Sequence, residues 1–219
     1  MANTIYLIRH GQASFMAENY DQLSPLGYAQ AEALGKWWKD NLPVPDHIAH
    51  GTLNRQRQTW ESFREAGSPQ LPNAQIIEGL NEHQGTDVLK YHRDKQRDAP
   101  TDKKGTLQQF FKMNMQWIAG EIDSGPYEPW ADFQTRVRSA FEPLFAELQP
   151  KQSIAVLTSG GVIATAIGMT LGLSDGKIME LNWQIRNSSI SVLHYSKGRL
   201  FLRDYNWVPH LERSQITYV

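Results

Sequence analysis

Cysteine is absent from the 219 residues, which excludes disulfides, thiolate metal centres and a cysteine nucleophile, and fits a reducing compartment. Charge of one sign is not in excess either. Lys plus Arg number 22 against 23 Asp plus Glu, a net charge of −1, so the broad positive field that nucleic acid or an anionic membrane would need is missing. Any anion must be bound by a local arrangement. Long apolar runs are also lacking: the nearly apolar stretch from Gly160 to Leu173 is too short to cross a bilayer. Residues 1–12 carry no basic segment followed by a long apolar one. The expectation is a cytoplasmic protein with neither a nucleic-acid nor a membrane partner. What is present is ordinary for a globular chain, with 40% apolar and 21% charged residues. At about 150 residues per domain the length corresponds to roughly 1.5 domains. We read residues 1–219 as one domain with a polar insertion around 85–130.

Two places repeat one design, a buried strand that ends abruptly in polar residues. Thr4 to Ile8 is apolar and β-branched and runs into Arg9-His10-Gly11-Gln12; Ile154 to Leu157 runs into Thr158-Ser159-Gly160-Gly161 and then a small-residue helix through Met169. Ser24-Pro25 reads as an N-cap and first helical residue, with Leu26, Ala29, Ala33, Leu34, Trp37 and Trp38 continuing at helical spacing until Pro43 and Pro45. Further expected elements are a strand at Ile48 to His50, a helix from Leu53 to Ala66, and a short strand at Ile76-Ile77. Helices at Leu107 to Ile118 and Phe133 to Leu148 follow, then a hairpin of Ser189 to Tyr195 and Arg199 to Tyr205 around Ser196-Lys197-Gly198. Lys90 to Lys104 is strongly basic with almost no apolar residue and reads as a solvated excursion. Alternating strands and helices predict a three-layer α/β/α sandwich, a mostly parallel sheet with an antiparallel edge strand. Both polar turns then open at the carboxyl edge, where such sheets bind ligands.

Arg9-His10-Gly11 puts a cation beside an imidazole, with a glycine permitting close backbone approach. That suits a phosphoryl group, because a neighbouring arginine keeps the imidazole lone pair free for attack at phosphorus. The plainer reading, a loop histidine that only hydrogen-bonds the chain, stays open on these residues alone. His47 and His50 with His83 or His92 give a weak metal-ligand pattern without a third ligand at a recognisable spacing. Ser159 on a strand-to-helix turn, with Asp204 and His210 downstream, is a serine-hydrolase alternative, but Leu157 stands where that motif wants glycine.

Ile5-Tyr-Leu-Ile-Arg-His-Gly-Gln-Ala-Ser14 followed by Leu23-Ser-Pro-Leu-Gly-Tyr-Ala-Gln-Ala31 strongly resembles the opening of the histidine phosphatase superfamily, the phosphoglycerate-mutase-like proteins. Leu53-Asn-Arg-Gln-Arg-Gln-Thr59 is similar to the segment carrying the family's second phosphate-binding arginine, which the resemblance matches to Arg55. Arg57 reads as a solvated helix charge, since an i, i+2 pair does not share a helix face. Leu80-Asn81-Glu82 is similar to the segment that supplies the leaving-group acid, although only His83 and Gln84 precede Gly85, fewer than the common pattern has. The largest departure is Ser159, where the family usually has a second histidine. The end of the chain, Tyr205-Asn206-Trp-Val-Pro-His210, resembles members that finish with an Asn and a His near the pocket.

The resemblance implies a phosphatase working through a phosphohistidine. His10 and Glu82 are its catalytic pair, and Arg9, Arg55, Gln12, Ser159 and Gly160 its phosphate-binding residues. His210 is a further candidate to compensate for the missing histidine. A small phosphorylated substrate is expected and a phosphoprotein is not excluded, while neither metal nor cofactor is needed; the oligomeric state is not legible. The main alternative is a degenerate relative that binds a phosphorylated ligand without turnover, which retention of both His10 and Glu82 argues against. A phosphomutase is the lesser one.

Overall fold

The computed structural model describes residues 2–14, 21–67, 70–94 and 103–218. Its centre is β1 (Asn3–Arg9), which pairs in parallel with β4 (Ser153–Thr158) on one side and antiparallel with β5 (Ile190–Ser196) on the other. Adding β2 (His47–His50), β3 (Ala74–Ile76) and β6 (Arg199–Trp207) completes a six-stranded sheet in the order β3-β2-β4-β1-β5-β6. β5 and β6 form the expected closing hairpin, so the antiparallel part is a two-stranded flank. Strand alternation explains why both faces are covered. Ile5 and Leu7 of β1, with Ile154 and Val156 of β4, point into one core; Tyr6 and Ile8, with Ala155 and Leu157, point into the other.

The second of those cores is closed by α1 (Pro25–Asn41) and α2 (Asn54–Gly67), through Leu34, Trp38, Trp60 and Phe63. The first is closed by α5 (Trp130–Ala146) and α6 (Gly160–Leu171), joined by Trp117 of α4 (Lys103–Ile118) and by Ile178 and Met179 of α7 (Asp175–Gln184). The result is the three-layer sandwich. β1 and β4 are neighbours, yet the helices that follow them, α1 and α6, lie on opposite faces. The chain therefore parts above the carboxyl ends of these two strands and leaves a crevice there.

Several elements differ from expectation. The third strand is Ala74–Ile76 rather than Ile76-Ile77. The basic stretch begins inside a helix, α3 (Gly85–Asp94), whose Val88 and Leu89 are buried; residues 95–102 lie outside the described part. α7 was not anticipated, because its apolar residues Ile178, Met179, Leu181 and Trp183 do not print a clean helical period. No helix of the described residues is long and apolar enough to cross a membrane.

Ser24 caps α1 as expected, accepting from the Gly27 amide at 3.1 Å. Gly27 and Gly11 then meet back to back: a Cβ on Gly11 would run into the Gly27 carbonyl, and one on Gly27 into the Gln12 carbonyl. Two rigid backbones leave no side chain to give way. Gly27→Ala is expected to lower stability by about 2 to 3 kcal/mol, read as a lower urea midpoint at unchanged m.

Candidate active site

His10 is the first residue beyond β1, and its amide still donates to the Thr158 carbonyl at 2.9 Å. Its side chain is buried, and Nδ1 lies 2.7 Å from the Gly11 carbonyl oxygen. A carbonyl can only accept, so Nδ1 carries the proton and Nε2 keeps its lone pair. Arg55, in the first turn of α2, donates from Nε to that Nε2 at 3.2 Å. Burial pushes the pKa of His10 well below the usual histidine value, and the Arg55 and Arg9 guanidinium groups push it further, against a smaller opposing effect of the Gly11 bond. Below that value the lone pair is lost; at neutral pH it is present.

The two arginines are held differently. Arg55 is buried and ion-paired through Nη1 with Asp21 at 2.8 Å, while the other oxygen of Asp21 accepts from the Asn54 amide. Arg9 donates from Nη1 to the carbonyls of Ile185 and Tyr218, which aims its guanidinium along the start of α6. A Cβ on Gly160 would lie 3.5 Å from Arg9 Nε. Thr59 links the parts by accepting from the Gly11 amide and donating to the Arg55 carbonyl. Gln12 is partly buried, its Oε1 accepting from the Ser24 hydroxyl at 2.9 Å.

Glu82 comes in from the turn after the short 3-10 helix Glu78–Leu80. Its carboxylate accepts from the Gly161 amide at 3.1 Å and from the His83 amide at 3.0 Å, so it caps the N-terminus of α6. Burial pushes its pKa up, but His83, the two amides and Arg55 together outweigh burial and hold it below the ordinary glutamate value. In the free protein Glu82 is therefore ionised at neutral pH.

Ser159 has no exposed surface, and its Oγ accepts from Gln56 Nε2 at 2.9 Å while the same amide donates to the Leu80 carbonyl. The hydroxyl thus braces α2 against the turn before α6 instead of lining the cradle. A serine-hydrolase triad is not assembled either: Asp204 is ion-paired with Arg203, and His210 bonds the Ser188 hydroxyl at 3.1 Å. His210 also packs against Trp37, and burial lowers its pKa to about 4. The Ser188 amide in turn donates to the His10 carbonyl at 3.1 Å, so His210 lies one residue removed from the His10 backbone. The histidines weighed as metal ligands are engaged separately, His47 with Gln152, His50 with the Gly51 carbonyl and His92 with the Asp123 carbonyl. Asp21, Gln56, Thr59 and Asn182 were missed: Gln56 and Thr59 stand on α2 beside Arg55, in a segment read only for its arginines, and Asp21 and Asn182 come from elsewhere in the chain, in no motif.

Residues 5–208 match the family described as the histidine phosphatase superfamily, branch 1. The chain belongs to that superfamily. No curated protein matches it. Among solved structures it is similar to an alpha-ribazole phosphatase from Shigella flexneri, at 21% identity and TM-score 0.64, covering 93% of this chain and 96% of that one. A phosphoserine phosphatase from Entamoeba histolytica in complex with 3-phosphoglyceric acid is 19% identical, TM-score 0.66, with 96% and 100% covered. A phosphoglycerate mutase from Bacillus anthracis str. Sterne is 16% identical, TM-score 0.69, with 95% of each chain covered. At these identities the likeness is one of fold, and the activities named for these three proteins differ from one another.

Because the Ser159 hydroxyl serves packing, Ser159→Ala is expected to cost about 1 kcal/mol of stability, the net worth of a buried neutral hydrogen bond. Turnover should stay within about twofold of wild type. Denaturant unfolding and a steady-state assay on the same preparation check both.

Proposed function

We propose that the protein is a phosphatase that hydrolyses phosphate monoesters through a phosphoryl group carried on His10 Nε2. The observation that carries this reading is the tautomer: His10 donates from Nδ1 to the Gly11 carbonyl, leaving a buried Nε2 lone pair opposite Arg55 Nε. Binding alone has no use for a poised nucleophile.

In the first step the Nε2 lone pair forms the N–P bond as the ester P–O bond breaks, and the electron pair leaves on the alcohol oxygen. The imidazole ring becomes positive, a charge that the Gly11 carbonyl already faces. Arg55 redirects its Nε–H hydrogen bond from Nε2 to a phosphoryl oxygen, and Arg9 and the first amide of α6 at Gly160 receive the others. Gln12 contacts substrate. Glu82 protonates the departing oxygen. In the second step Glu82 takes a proton from water, the water oxygen bonds phosphorus, and the N–P pair returns to Nε2 with release of phosphate. Two arginines and a helix N-terminus supply the positive field, so the scheme calls on no metal or cofactor.

Brief reaction with an aryl phosphate labelled at phosphorus should leave label on His10 that is lost in acid and kept in base. His10→Ala should abolish both label and turnover. A folded protein that binds phosphate esters but neither labels nor turns over would be the degenerate binder.

The state of Glu82 sets the pH dependence. Since Glu82 is ionised in the free protein, the leaving-group proton must arrive with the substrate monoanion, whose second pKa is about 6. As the phosphate settles beside the carboxylate, like charge raises the Glu82 pKa and the proton moves across. For an alkyl ester, kcat/KM should therefore fall about tenfold per pH unit above pH about 6. On the acid side it should hold until His10 protonates, well below the ordinary histidine value. A profile from pH 4 to 9 checks both limbs.

A further inference from the structure

We propose that His83 supplies the imidazole that the chain lacks at position 159, donating from Nε2–H to a phosphoryl oxygen over the first turn of α6. This rests on the phosphatase reading above.

The placement comes from the two glycines that open α6. A Cβ on Gly160 would press on the Asn182 side chain and lie 3.5 Å from Arg9 Nε, and a Cβ on Gly161 would run into both Glu82 Oε1 and the His83 ring. Arg9, Asn182, Glu82 and His83 therefore converge on one helix N-terminus, and His83 is the imidazole among them. Its Nε2 lies 3.7 Å from Glu82 Oε1 and 3.2 Å from the Asn182 side-chain amide. The side chain keeps 10% of its surface exposed, beside 20% for Glu82, whereas Ser159 has none. His83 thus keeps accessible surface beside Glu82, where Ser159 has none.

The tautomer is set by the backbone. The Gly85 amide donates to His83 Nδ1 at 3.1 Å, so the ring proton sits on Nε2, and the Asn182 amide 3.2 Å away presents its oxygen to it. This is the reverse of His10, whose Nδ1 faces a carbonyl. One imidazole thus offers a lone pair to phosphorus and the other offers an N–H to a phosphoryl oxygen. The His83 ring cannot turn freely, because Trp117, Trp130 and Phe133 surround it with centroids 5.4, 6.0 and 5.4 Å away. A donor fixed before substrate arrives needs no reorganisation as charge develops on the phosphoryl oxygens.

The test compares the full-length wild type with His83→Ala, His83→Phe and His83→Gln. Orthovanadate affinity, kcat and KM are measured on one aryl phosphate, whose leaving group needs no proton from Glu82. His83→Phe keeps the aromatic packing without the donor, and serves if the alanine variant does not fold. Gln can return a neutral N–H near the position of Nε2. Loss of the donor should lower vanadate affinity about tenfold or more and kcat about hundredfold, with a smaller rise in KM; His83→Gln should recover most of both. The proposal is overturned if the donorless variants stay within about twofold of wild type. It is equally overturned if His83→Gln, with an unchanged melting temperature, is as impaired as His83→Phe. A wild type that neither labels His10 nor binds vanadate would remove the phosphatase reading itself, whereas a labelled wild type with indifferent His83 variants would remove this inference alone.

Discussion

One hydrogen bond, from His10 Nδ1 to the carbonyl of Gly11, decides which imidazole nitrogen keeps its lone pair, and the surroundings depend on that choice. The carbonyl can be placed there only because Gly11 lies flush against Gly27 with no room for a side chain on either. Its amide is meanwhile anchored on Thr59, which also binds the Arg55 carbonyl. Strand β1, helix α1 and helix α2 are thereby joined at a single loop, so the orientation of the imidazole and that of the arginine opposite it are not independent.

Holding two guanidinium groups beside a buried imidazole is costly unless each is compensated. Arg55 is compensated by a carboxylate, that of Asp21, and Arg9 by the carbonyls of Ile185 and Tyr218. The difference has a chemical consequence. Carbonyl partners orient Arg9 without cancelling its charge, while Glu82, ionised and capping α6, offsets positive charge on the far side of the crevice. An incoming phosphate monoanion meets a field favourable along β1 and α2 and repulsive at one carboxylate, which is the group that has to accept its proton for the proposed reaction.

The strands and their polar ends were legible in the sequence because β1 and β4 are buried on both faces and so read as continuous apolar runs. The Ser24-Pro25 helix start was legible because capping is a local interaction between neighbours in the chain. Helix α7 was not, since its burial comes from packing against α6, where a Cβ on Gly168 would strike Ile178. Nor could the sequence reveal that Ser159 faces Gln56, or that His210 belongs with Ser188 and Trp37.

The residues themselves determined the inventory: a histidine and an arginine at one strand end, a second arginine at a helix start, a carboxylate after Leu80, and a serine where an imidazole is customary. These are chemical identities and short-range patterns, which survive in a one-dimensional string. Which nitrogen of His10 is the base, whether Glu82 carries a proton and which side chain faces the start of α6 were decided only by the fold. Each depends on a partner brought in from elsewhere in the chain or on a backbone group aimed by packing. Burial and field direction are properties of the assembled sheet edge and have no representation along the chain.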